Sequence, residues 1–110
     1  MQEAMIIQEI ERISGGDSQA KKDLIEIFIR QTSELIAQLQ VCLLNTDWKE
    51  IKKIAHTLKS SFLYIGINQA TLLADGIEKK AGTNVEITAQ QVQELTTICF
   101  QLINELQVSQ

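Results

Sequence analysis

The 110-residue chain has no proline, one histidine, two cysteines and a net charge of −4, so one domain with a single core is expected and a large multidomain enzyme is excluded. Average usage would supply about five prolines, and their absence points to long uninterrupted helices. The acidic balance argues against non-specific binding to a nucleic-acid backbone, and no apolar run exceeds four residues, so no membrane span and no signal-peptide core is expected and the chain reads as cytoplasmic.

The first element covers residues 3–13, with Met5, Ile6, Ile10 and Ile13 at helical spacing and Gly15-Gly16-Asp17 ending it. It reads as a short lid or docking helix. From Ser18 to about Leu44 runs a long amphipathic helix with two apolar seams, Leu24, Phe28, Leu35, Leu39 and Cys42 on one and Ile25, Ile29, Ile36 and Leu43 on the other. Two seams predict two neighbours. Asp47 and Glu50 match a capping box that opens a third helix from Trp48 to about Ile65, which Gly66 closes. Asn68 suits the cap of a fourth helix carrying Ala70, Leu73, Ile77 and Ala81 up to Gly82. Residues 83–87 read as a loop, and Thr88 with Gln91 as a capping box for a last helix with the seam Val92, Leu95, Cys99, Leu102 and Leu106. Short connections favour antiparallel neighbours, so the predicted fold is all-α: an up-down-up-down four-helix bundle with a short additional N-terminal helix. Cys42 and Cys99 lack the paired spacing of a zinc or redox motif and read as small core hydrophobes.

On the third helix, at 100° per residue, Lys49, Lys52, Lys53, Lys59, Ser60 and Leu63 all fall within about 60° of His56. Ile51, Ile54, Leu58, Phe62 and Ile65 occupy the opposite side, the expected core stripe, so His56 points outward. A solvent-facing histidine among lysines is ordinarily part of a solvated face. The arrangement nonetheless suits a phosphoryl acceptor, which needs an exposed imidazole lone pair and fixed cations for the incoming oxygens. Ser60, one turn after His56, is small enough to leave a partner protein access to the ring. Leu63 is apolar on the exposed stripe, where it suits a partner better than water.

The run Ala55-His56-Thr57-Leu58-Lys59-Ser60-Ser61-Phe62-Leu63-Tyr64-Ile65-Gly66 resembles the core motif of histidine-containing phosphotransfer (HPt) domains of two-component phosphorelays. That motif joins a phospho-accepting His, a Lys three residues later, a small residue at the fourth place and a Gly at the tenth. Phe28, Asp47 and the Ile77-Glu78 pair match its surroundings, and position 60 is Ser where Gly is commoner. The resemblance is strongest over residues 17–82, within one expected helical domain over residues 1–110. It implies that His56 is the phosphorylated residue, Lys59 the cation beside the phosphoryl group, and Glu78 the side chain that orients the imidazole. It further implies response-regulator receiver domains and a hybrid sensor histidine kinase as partners, a monomer, and no cofactor of its own, with Mg²⁺ held by the receiver. Candidates for partner docking are Ile6, Ile7, Ile10, Lys52, Lys53, Leu63 and Ile67. The sequence has no Walker-type loop or kinase motif set, so use of ATP is not expected. The alternative is a helical docking module that binds or inhibits a receiver or kinase without accepting phosphate. A histidine-dependent enzyme with His56 as general base lacks an evident nucleophile or metal cluster.

Overall fold

The computed structural model describes residues 2–108, with side-chain surroundings from residue 6 onward, so the predicted place of Met5 on the first seam lies outside the described residues. Among the described residues five helices follow one another: α1 (Gln2–Ser14), α2 (Ser18–Leu44), α3 (Trp48–Ile65), α4 (Asn68–Lys80) and α5 (Val85–Val108). Helices α2 to α5 pack as a closed ring, each against the next and α5 back against α2, while among the described residues the backbones of the diagonal pairs stay more than 8 Å apart, Cα to Cα. That is the predicted bundle. The 27 residues of α2 span about 40 Å at 1.5 Å per residue, close to the 44 Å long axis of the molecule.

The buried line of α2 is Ile25, Phe28, Thr32, Ile36 and Leu39. It draws on both predicted seams, with Leu24, Ile29, Leu35, Cys42 and Leu43 half-buried beside it. The α3 stripe is buried as predicted, with Ala55 added, and Phe28 meets Phe62 edge-to-face at 6.4 Å between ring centroids. Along α5 the whole predicted seam is buried. Thr88 and Thr96 join it because their hydroxyls donate to the carbonyls of Asn84 and Val92, which removes the cost of burying them.

Small residues set the spacing that matters most for function. Ala70, Ala74 and Ala81 are buried, so α4 lies close against α3, the most extensive helix pairing in the molecule. At Gly76 the Gln91 amide of α5 occupies the space beside the backbone, where a Cβ would lie 2.5 Å from its nitrogen unless that side chain moved aside.

Three local expectations are corrected. The cap of α4 is Ile67 rather than Asn68, with no side-chain cap bond. Helix α5 begins at Val85, inside the predicted loop, because Asn84 accepts from Ile87 N–H at 3.0 Å; Thr88 lies within the helix and Gln91 packs on Gly76. At α3, Asp47 does accept from Glu50 N–H, but its own N–H donates to Cys42 O, so Glu50 has no capping role in return.

Helix α1 is no loose lid. Ile6 and Ile10 are 1% and 0% exposed, and the helix packs on α2, α5 and α3, with a Lys21–Glu11 ion pair at 3.0 Å fastening it to α2. Cys99 is buried and Cys42 half-buried, both as free thiols.

Candidate functional site

The site is assembled where α3 and α4 lie side by side. Gly66 closes α3 in the left-handed conformation at φ 85°, the role predicted for it. Its N–H donates to Leu63 O, and Ile67 N–H donates to Phe62 O at 2.9 Å. These paired bonds form a Schellman motif, which turns the residue after the glycine back onto the helix. Ile67 is therefore 3% exposed, and it starts α4 antiparallel to α3 with Glu78 facing His56.

The His56 side chain is 61% exposed, and its Nδ1 lies 3.1 Å from Glu78 Oε2. In the tautomer with hydrogen on Nδ1, that nitrogen donates to the carboxylate and leaves the Nε2 lone pair free. The second oxygen of Glu78 meets Lys59 Nζ at 2.8 Å in an ionic contact rather than an aligned hydrogen bond. Lys59 also donates to Asp75 Oδ1 at 3.2 Å, and Asp75 Oδ2 takes Lys79 at 2.9 Å. A chain of polar contacts thus runs His56, Glu78, Lys59, Asp75, Lys79, with charges alternating from Glu78 onward. Lys59 above all, and His56 after it, hold the Glu78 carboxyl below its ordinary range against the opposing effect of burial. Lys79 and then Lys59 do the same for Asp75, while Glu78 and Asp75 push the Lys59 ammonium up.

Ser60 donates its hydroxyl to His56 O at 3.2 Å, so its side chain folds back onto α3 and the approach to the ring stays open. Lys49, Lys52 and Lys53 are exposed on the same face, and none of them takes part in an ion pair among the described residues. Leu63 is 67% exposed, as its place on the stripe predicts. Three docking candidates are corrected: Ile6, Ile10 and Ile67 belong to the core and offer no surface, the first two through α1 packing and the third through the α3–α4 turn. Ile7 is half-buried against that core.

Two features escaped the sequence reading. Tyr64, next to Leu63 in α3, is a second large exposed side chain, at 62%. Asp75 stands one turn before Glu78 and four residues before Lys79, a spacing visible in the sequence, but only the α3–α4 register brings it to Lys59. Among the described residues no cluster of His, Cys, Asp and Glu suits a metal ion, and no helix is long and apolar enough to cross a membrane.

Comparison with curated proteins and with solved structures returned no match. The sequence model of the Hpt domain matches residues 23–108, from early in α2 to the end of α5, well beyond the stretch that carries the motif. With the histidine exposed on a helical bundle and that match over most of its length, the chain belongs to the Hpt domain family, whose members are phosphotransfer modules working with receiver domains and histidine kinases in two-component phosphorelays.

Proposed function

We propose that the protein is a phosphorelay intermediate in which His56 Nε2 accepts a phosphoryl group from the aspartyl phosphate of one receiver domain and passes it to another. The observation that carries this reading is the 3.1 Å contact between Nδ1 of the exposed His56 and Glu78 Oε2. It orients the ring, fixes the tautomer and leaves the nucleophilic nitrogen toward solvent, where a partner can reach it.

The reaction needs no proton relay. The Nε2 lone pair attacks phosphorus, the P–O bond to the receiver aspartate breaks, and the aspartate leaves as carboxylate with the bonding electrons. Nδ1 keeps its hydrogen, and the positive charge that develops on the ring lies against Glu78. Phosphoryl transfer depends on positioning and charge neutralisation. Lys59 supplies a cation one turn from His56, while the acidic pocket and Mg²⁺ are the receiver's contribution. Lys49, Lys52 and Lys53 favour approach of that acidic pocket, and Leu63 gives apolar docking area.

Incubation with a phosphorylated receiver and Mg²⁺ tests the proposal. Acid-labile, alkali-stable label on the wild type that is lost in His56→Gln supports it. Binding of the receiver without label establishes a docking module instead.

A further inference from the structure

Lys59 is doubly held at rest, by Glu78 at 2.8 Å and by Asp75 at 3.2 Å. Glu78 is in turn committed to His56, whereas Asp75 has a second cation of its own in Lys79. Of the two carboxylates, only Asp75 is paired with a second lysine, so it can release Lys59 and keep a fixed cation, whereas Glu78 must also hold the ring. Lys59 and Asp75 are both about three-tenths exposed, so the pair can open without disturbing the core.

We propose that Asp75 is a positioning residue that competes with the phosphoryl group for Lys59, so that the Asp75–Lys59 pair sets how far the phosphoryl equilibrium lies toward His56. The inference rests on the reading of His56 as phosphoryl acceptor. On phosphorylation Lys59 keeps Glu78 and exchanges Asp75 for a phosphoryl oxygen, while Asp75 stays neutralised by Lys79. The exchange makes the phosphorylated state costlier than a free lysine would, which favours onward transfer. Lys79 opposes that cost by sharing Asp75. Removing Asp75 and removing Lys79 must therefore act in opposite directions, a pattern that general loss of structure does not produce.

The experiment uses the whole chain with a receiver charged by acetyl phosphate in Mg²⁺, and reads the equilibrium ratio of phosphohistidine to phosphoaspartate. Asp75→Asn is expected to raise the ratio about two- to five-fold, the range of a partly exposed ion pair, and Lys79→Met to lower it by a similar factor. Asp75→Glu should restore the wild-type value. Changes in the same direction, or none, overturn the proposal. A second arm phosphorylates the histidine with phosphoramidate, without a receiver, and follows the Asp75 carboxyl carbon by NMR. A resonance that moves in the wild type but not in Lys59→Met is expected. One that stays put overturns the exchange even where receivers transfer normally, whereas a moving resonance with no uptake from any receiver overturns the relay reading and leaves the exchange standing.

Discussion

Glu78 reaches across from α4 to place one carboxylate oxygen 3.1 Å from His56 Nδ1 and the other 2.8 Å from Lys59 Nζ. One side chain thereby holds both the ring and the Lys59 cation. Glu78→Ala should slow phosphoryl uptake by at least about tenfold, in line with the loss of an orienting carboxylate elsewhere. Imidazole ¹⁵N spectra should show the Nδ1–H tautomer losing its dominance. A variant with wild-type rates and tautomer would exclude Glu78 from the mechanism.

Lys59→Ala removes the cation without touching the core, since Lys59 lies outside the buried stripe of α3. Transfer should slow by about tenfold, while far-UV circular dichroism stays at the wild-type value. Unchanged kinetics would show that the receiver supplies all the positive charge the reaction needs.

The acid limb of stability should carry the signature of the same network. Glu78 and Asp75 both have carboxyls depressed in the folded state. Their contribution is present above the unfolded carboxylate range of about 4 and is lost as pH falls through the lower folded values. Urea unfolding between pH 6 and pH 2, buffer conditions chosen to bracket the roughly pH 4 carboxylate range, should therefore show a shallower fall for Asp75→Asn and Glu78→Gln than for the wild type. Parallel curves would mean that the pairs add nothing to folding.

Leu58 and Leu63 are five positions apart on α3, yet one is 0% and the other 67% exposed. Leu58→Ala should cost about 2–5 kcal/mol of stability. Leu63→Ala should leave stability within about 0.5 kcal/mol and weaken receiver binding. Similar losses of stability from both would contradict the helix phase.

The α2–α3 turn holds Thr46 at φ 51°, left-handed backbone that a β-branched residue adopts only under strain. Its neighbours repeat the bond pattern seen at Gly66, with Asp47 N–H donating to Cys42 O and Thr46 N–H to Leu43 O. Thr46→Gly should stabilise the fold by about 0.5–1 kcal/mol. A lower unfolding midpoint in denaturant would show that the hydroxyl bond from Thr46 to Asn45 O outweighs the strain.

Much of this protein was legible in its sequence because helices announce themselves locally. The bounds of α2 and α3, the outward face of His56 and the Gly66 terminus follow from apolar spacing and capping chemistry that act within a few residues. The start of α5 was misplaced because two polar residues, Asn84 and Thr88, are both suited to cap it, and that of α4 because the turn after Gly66 seats the apolar Ile67 at the cap position in place of Asn68. The motif around His56 likewise pointed to Lys59 and Glu78.

Tertiary structure decided what distance along the chain hides. Ile6, Ile10 and Ile67 have the same apolar character as Leu63, whose exposure follows from helix phase alone, and only the seating of α1 and the direction of the α3–α4 turn put those three inside. Asp75 reads in sequence as one more surface acid. Small residues on α4 let that helix approach α3, and the approach makes Asp75 a partner of Lys59. Sequence by itself determined the helices and the reactive face, because those depend on local periodicity. Structure decided which charges meet and which apolar residues remain free to dock, because those depend on how the helices are set against one another.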